Sequence, residues 1–280
     1  MRTKKKTSIG RILIFIILLT GALTMIIPFA WMLSTSLKEA KLVYQIPPQW
    51  IPKPVDWKNY VEIWTHSNLL SGIKNSTIVS ACVLLFGTFS STMSAFAFAK
   101  LDVPGKNVLF ICLLSSMMIP FVVLLVPQYI IYSKIRWINT LLPLIIPGSL
   151  GNVSMLFFLR QYMMGLPTEL LEAAKIDGCG YFKIYYRIFL PLSKPAIVSN
   201  IIMTFMGTWN DYLGPMIFVN DKKKQTVQVA IAMLNSYHET QTDVPLVMAA
   251  ALIAILPVLI LFIVCQDYFT DSFAISGLKG

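Results

Sequence analysis

Residues 12–33 read ILIFIILLTGALTMIIPFAWML, a run with no ionisable side chain. About 20 helical residues cross the hydrocarbon core of a bilayer, and a helix apolar on every face is a membrane or deep-core helix. Five comparable runs follow at 73–98, 108–132, 141–160, 195–219 and 245–269. The chain therefore reads as an all-α, polytopic membrane protein with six transmembrane helices, residues 1–280 forming a single transmembrane domain. Composition agrees: 56% of the 280 residues are hydrophobic and 13% charged, against about 25% charged in a soluble domain. The start of the chain is basic and then apolar, as in a signal peptide. However, Pro28-Phe29-Ala30-Trp31 is a poor small-residue cleavage site, so the run reads as an uncleaved first helix.

The formal charge of +10 does not point to nucleic acid, because the basic residues lie in short segments between apolar runs and form no folded basic face. Anionic lipid headgroups account for them. Thirteen of the 23 lysines and arginines fall on the side of the N-terminus, and Arg2, Lys4, Lys5, Lys6 and Arg11 flank the first helix. The positive-inside rule then places both termini in the cytoplasm. Segments 34–72 and 220–244 become external. The first holds Pro47-Pro48, Trp50, Pro52, Pro54 and Trp57, which predicts an ordered, extended segment. Inside lie 99–107, with a Pro104-Gly105 turn, and the long segment 161–194.

Pro28, Pro120, Pro127, Pro143, Pro147, Pro215 and Pro257 fall within the apolar runs. Each would cost about 3 kcal/mol inside a soluble helix, but membrane helices tolerate them where neighbours or water satisfy the freed carbonyls. Broken helices lining a pathway and kinks in a static bundle both fit. Ser90, Ser91, Ser94, Ala95, Ala97 and Ala99 permit close helix approach, the mark of a packed bundle.

Catalytic chemistry has no candidate. There is no GxxxxGK[ST] phosphate loop, so ATP binding by this chain is not expected. No nucleophile is paired with a base, and the chain reads as a non-enzyme. Cys82, Cys112 and Cys265 lie in apolar runs and Cys179 in a charged loop, with no metal-ligand spacing. His66 and His238 are isolated and external, which favours solvation over metal binding, and no metal site is expected. Lys222-Lys223-Lys224 reads as an exposed loop face. Asn210, Asp211 and Tyr212 stand near the outer end of the fifth run, where an ionisable residue is a functional candidate by default. Contact with a substrate and a role in packing or gating both remain open for them.

Within 161–194, Pro167 and Thr168 open a helix that continues through ELLEAAKI to Asp177. Ten residues give a length of about 15 Å, and Gly178 is a natural stop. Ala173 and Ala174 leave a shallow face on which a second protein could seat, and Glu172 and Lys175, one turn apart, can support each other at its rim. A second helical stretch ends at Leu190-Pro191. These features alone fit a membrane-surface helix as well as a docking element.

The pattern Glu172-Ala173-Ala174, three residues, Gly178, nine residues, Ile188-Phe189-Leu190-Pro191 resembles the EAA loop of ATP-binding-cassette importer permeases that depend on a binding protein. Asn75-Ser76, Pro104-Gly105, Met118-Ile119-Pro120, Leu159-Arg160-Gln161, Trp209-Asn210-Asp211, Leu256-Pro257-Val258 and the end Tyr268-Phe269 … Gly277-Leu278-Lys279-Gly280 extend the resemblance over essentially the whole chain. They point to the carbohydrate-uptake branch, the second permease of maltose- and multiple-sugar-type systems. Three positions depart from it: Gly214 stands where tryptophan is common, and Ser272 and Ser276 replace glycines.

The resemblance implies a type I importer permease fold in a bacterial cytoplasmic membrane, with the EAA loop (Glu172, Ala173, Ala174, Asp177, Gly178) docked on an ATPase. It implies a homologous second permease, two ATPase subunits that bind ATP and Mg, an extracytoplasmic solute-binding protein and a sugar substrate. No cofactor is implied for this chain. In such a pair the other permease supplies most sugar contacts, which leaves Asn210, Asp211 and Tyr212 as pathway candidates. Glycerol phosphate or an amino acid would be an alternative cargo. A stand-alone secondary transporter would instead place ionisable residues at mid-membrane, whereas the charges here cluster at the ends of the apolar runs, with Asp211 the main exception.

Overall fold

The computed structural model describes residues 9–236 and 243–277. His238, Lys279 and the basic residues Arg2, Lys4, Lys5 and Lys6 lie outside that range. The described chain is helical: α1 Ile9–Ser36, α2 Lys58–His66, α3 Leu69–Lys100, α4 Lys106–Met117, α5 Phe121–Lys134, α6 Leu142–Leu150, α7 Val153–Met164, α8 Glu169–Ile176, α9 Tyr181–Ile184, a π-helical turn Tyr185–Phe189, α10 Leu190–Leu192, α11 Lys194–Trp209, α12 Leu213–Phe218, α13 Val227–Ser236 and α14 Val244–Gly277. By length and composition four stretches can cross a membrane: Gly10–Ser36, Leu69–Lys100, Leu142–Met164 and Val244–Gln266. Two bent pairs, Lys106–Met117 with Phe121–Lys134 (98°) and Tyr181–Leu192 with Lys194–Trp209 (76°), bring the number to as many as six when each pair is counted as one span.

Contacts divide the chain into two units. The first comprises Met1–Ser67 and Ile231–Ile253. In it, α1 is exposed around its whole circumference from Gly10 to Ala30, which suits hydrocarbon. Segment 34–66 departs from the extended expectation, since it holds a 3₁₀ turn at Ala40–Leu42 and the helix α2. Its polar groups fold inward. The Asn59 amide donates to the Ser36 and Lys38 carbonyls at 2.9 and 3.0 Å, and the Ser36 and Tyr60 hydroxyls share a hydrogen bond of 2.8 Å. Lys38 is buried, donates to the Gln49 carbonyl and lies 4.2 Å from the Trp31 ring centroid. Its desolvation lowers the ammonium pKa below the ordinary lysine value.

The second unit, Asn68–Ala230 and Ala254–Gly280, is organised on α3. Gly72, Ser76, Ser80, Gly87, Ser91 and Ala95 are buried along one side of it. The small residues allow backbone contact: a Cβ on Gly87 would lie 2.9 Å from the Gly148 carbonyl of α6, and one on Gly72 would lie 3.1 Å from Val227 Cα. Ser90 donates across the gap to the Ser149 carbonyl at 2.7 Å. Asn75 donates to the carbonyls of Lys223 and Gln225, 2.9 Å each, and Ser76 accepts from the Val227 N–H. At 32 residues, α3 is about 48 Å long, well over the roughly 30 Å of hydrocarbon. Its last turns, with Ala95 and Phe96, enter a core shared with Met155, Leu159, Met163, Leu171 and Ile184. The C-terminal end of the sequence run 73–98 therefore belongs to the body of the 161–194 segment.

Proline accounts for only part of the breaks. Pro120 separates α4 from α5, and Gly105, at φ +78°, turns the chain into α4. Pro28, Pro127, Pro147 and Pro257 instead lie inside continuous helices. The run 141–160 is interrupted at Gly151-Asn152, where the Asn152 side chain caps α7 by accepting from the Met155 N–H at 3.0 Å. The run 195–219 is interrupted at 210–212.

Candidate functional site

Helix α8 is the centre of the 161–194 segment. Glu169 and Glu172 lie in its first turn and Lys175 in its last, the arrangement that complements the helix dipole. It ends in a Schellman motif: Gly178 N–H bonds to the Lys175 carbonyl at 3.0 Å and Cys179 N–H to the Ala174 carbonyl at 2.9 Å. Gly178 has φ +74°, and a Cβ there would meet nothing within 4 Å. Backbone conformation, not crowding, calls for glycine at this position.

Burial divides the alanine pair. Ala174 is 5% exposed and packs with Leu171 in the core, whereas Ala173 is exposed. The shallow outward face is therefore Ala173 alone, flanked by Glu172, Asp177 and Ile176, whose side chain is 86% exposed. The expected Glu172–Lys175 support is absent among the ion pairs of the described residues, and Lys175 instead lies 5.0 Å from the Tyr181 ring centroid. Residues 171 and 174 turn inward together because they are three apart on a helix. That spacing was visible in the sequence, but it does not say which side of a short helix meets the protein.

Beyond α8, the chain is fastened to α3. Phe96 packs on Tyr185 and Phe189 with centroids 5.7 and 5.2 Å apart, and the Tyr185 and Thr92 hydroxyls share a buried hydrogen bond of 2.9 Å. Lys100, at the end of α3, donates to the Leu166 carbonyl at 2.6 Å. Tyr185 opens the π-helical turn, a widening often found at functional positions. The outward face of α8 is thus held on a body continuous with a membrane helix.

Asn210, Asp211 and Tyr212 form the break between α11 and α12. Before it, Trp209 is buried and donates to the Ala254 carbonyl at 2.9 Å. Asp211 accepts from the Gly214 N–H at 3.2 Å, and Asn210 accepts from Gln228 at 3.1 Å. A Cβ on Gly214 would lie 2.8 Å from the Asp211 carboxylate. The glycine that departs from the family pattern thus leaves room for this carboxylate to fold over the start of α12. Tyr212 is 40% exposed.

These three residues do not line the nearby cleft. That cleft, about 400 Å³, lies between α7 and α11 and is lined by Asn152, Ser154, Asn200, Thr204 and Thr208, with Met155, Phe158, Met203 and Gly207 among its apolar walls. Asn200 is 6% exposed and its amide nitrogen has no hydrogen-bond partner, while Thr208 donates to Ser80 at 3.1 Å. The lining contains hydroxyls and amides but no charged side chain. Sequence reading missed it, although Asn200, Thr204 and Thr208 recur every four residues through an apolar run. No group of three or more metal-ligating side chains occurs among the described residues.

The family model for the inner membrane component of binding-protein-dependent transport systems matches residues 69–274. An arabinooligosaccharide transport permease of Bacillus subtilis is 29% identical over the full length of both chains. A melibiose/raffinose/stachyose import permease of the same organism is 33% identical, covering 91% of each chain. A trehalose/maltose permease of Thermococcus litoralis is 30% identical over 95% of this chain and 97% of its own. In fold, the chain resembles one in a bacterial ABC transporter involved in import of the acidic polysaccharide alginate, with a TM-score of 0.82 at 19% identity, covering 95% of this chain and all of that one. On the strength of the family match and these relatives, the chain belongs to the binding-protein-dependent transport system inner membrane components, a family of multi-pass membrane permeases.

Proposed function

We propose that this chain is a transmembrane permease subunit of an ABC importer for oligosaccharides, working with a homologous second permease, two ATPase subunits and an extracytoplasmic solute-binding protein. The chain acts as one transmembrane permease domain with both termini on the ATPase side of the cytoplasmic membrane. ATP and Mg belong to the partner ATPases, and the chain carries no cofactor of its own. The observation that carries the reading is α8, whose inner side is packed against the end of α3 and whose outer side presents Glu172, Ala173, Ile176 and Asp177. Closure of an ATPase on that face moves the body holding α3, and the pathway opens in turn.

The cleft supports a neutral, hydroxyl-rich cargo. Its amides and hydroxyls can exchange hydrogen bonds with a sugar, and the unpartnered Asn200 amide is a donor awaiting an acceptor. A phosphate ester would call for a cation in the lining, which disfavours glycerol phosphate. The assembled transporter in vesicles should accumulate arabino-, raffinose- or malto-oligosaccharides on ATP addition, whereas the chain alone should neither hydrolyse ATP nor accumulate sugar. ATPase activity of the chain alone overturns the reading. Uptake of amino acids but none of these sugars overturns the cargo assignment.

A further inference from the structure

A second pair of cavities lies on the side of α3 that meets the π-helical turn, α10 and α11, apart from the polar cleft. One, about 590 Å³, is lined by Thr88, Tyr186, Arg187, Leu190, Lys194 and Ile197. The other, about 450 Å³, shares Thr88 and Leu190 with it and continues between α3 and α11 along Ala81, Leu84, Leu85 and Ile201. From Thr88 to Ala81 is about 10 Å of helix. The first cavity carries two cations and no carboxylate, and the second is apolar except for hydroxyls.

The cations stand at a defined level. Lys194 opens α11, and the turns of α3 past Thr92 are already engaged in the core of the 161–194 segment. Arg187 and Lys194 therefore mark the edge of the hydrocarbon, and Tyr186, 62% exposed, is an amphipathic ring of the kind enriched at that level. From this edge the groove runs into the apolar zone.

We infer that the groove is a binding site for an anionic phospholipid, with the phosphate at Arg187 and Lys194 and one acyl chain along Leu84, Leu85 and Ile201. Charge selects the headgroup, because basic pockets between membrane helices hold anionic lipids. The apolar extension selects a lipid over a free anion. This rests on the membrane reading above, not on the identity of the cargo. The bound lipid would sit beside the π-helical turn that joins α8 to the bundle, so lipid composition would reach the coupling segment directly.

The test uses the full chain, extracted from vesicles of equal parts phosphatidylcholine and phosphatidylglycerol, with retained lipid read by native mass spectrometry. The expected result is retention of phosphatidylglycerol over phosphatidylcholine. Each basic side chain at an anionic surface is worth a factor of about five, so Arg187→Gln with Lys194→Gln should reduce the preference roughly 25-fold. Leu84→Trp, which fills the groove and leaves both cations in place, should also release the lipid. Lys183→Gln, an exposed cation of the same segment outside the groove, should change nothing.

Wild-type preference in the double variant overturns the proposal. An equal loss in Lys183→Gln reduces it to diffuse surface charge and also overturns it. Displacement of the lipid by inorganic phosphate would mean an anion site without an acyl groove, with the same consequence. Sugar uptake tests the transport function separately, and either result can fail while the other stands.

Discussion

At position 174 a methyl group faces a core, and at 173 the same group faces outward. Ala173→Asp places a carboxylate on the exposed side of α8, where substitutions usually change stability by less than about 0.5 kcal/mol. The subunit should reach the membrane at wild-type levels while the ATPase fails to co-purify and uptake is lost. Ala174→Asp buries a charge beside Leu171 and Ile184, a change in the class that costs about 4 kcal/mol or more, and the subunit itself should be depleted. Equal membrane levels for the two variants would show that Ala174 is not a core residue. Gly178 offers a third comparison. A residue with a Cβ at φ +74° costs about 1–2 kcal/mol, and asparagine tolerates the region best. Gly178→Asn should retain most ATPase binding, whereas Gly178→Val should lose it along with uptake. Wild-type binding in the valine variant would mean that the Schellman end of α8 is dispensable for docking.

Among the elements, α3 shows most clearly what the amino acids disclosed and what they concealed. Its apolar run was plain, and so was the wealth of serine and alanine toward its C-terminal end. Gly72 and Gly87 gave no separate signal, because a helical glycine becomes informative only when its neighbour is known, and those neighbours lie at 148 and 226–230. The breaks at 151–152 and 210–212 were hidden for a related reason: no proline marks them, and an Asn152 cap or an Asp211 turn is local polar chemistry inside an apolar run. The EAA helix was legible from Pro167 and Gly178, but not its inward side, since Leu171 and Ala174 find their partners in α3, α7 and α9. The candidates Asn210, Asp211 and Tyr212 were read inside a continuous run near its outer end, whereas they form a break between two helices, past the cleft whose lining they do not join. A test at this scale is Gly87→Ala. The added carbon would lie 2.9 Å from a backbone carbonyl, so the helices must part, and overpacking of this kind costs about 1–3 kcal/mol. The thermal transition of the purified subunit should fall. Gly21→Ala, where a Cβ meets nothing within 4 Å, should not lower it. A Gly87→Ala protein as stable as wild type would refute the backbone contact between α3 and α6.

For the molecule as a whole, orientation is the property most open to direct measurement. Single cysteines at Ile51, 73% exposed, and Ile176, 86% exposed, in a chain lacking Cys82, Cys112, Cys179 and Cys265, should be separated by the membrane. An impermeant thiol reagent should label position 51 in intact cells and position 176 only after permeabilisation. The opposite pattern would invert the topology and remove α8 from the ATPase. The hydrogen bonds of Asn75 have a different kind of consequence, one of timing during biosynthesis. Its partner at Lys223 lies 148 residues later, which at 5–20 residues per second is about 7–30 s of translation. The C-terminal end of α3 waits less, because Met155, Leu159 and Leu171 follow Phe96 more closely along the chain. One end of the helix can therefore be covered while the other still presents Gly72, Asn75 and Ser76 without residues 223–230 against them. A ribosome paused after residue 194 has emerged from it, and before residue 223 has, would hold the chain in that half-covered form.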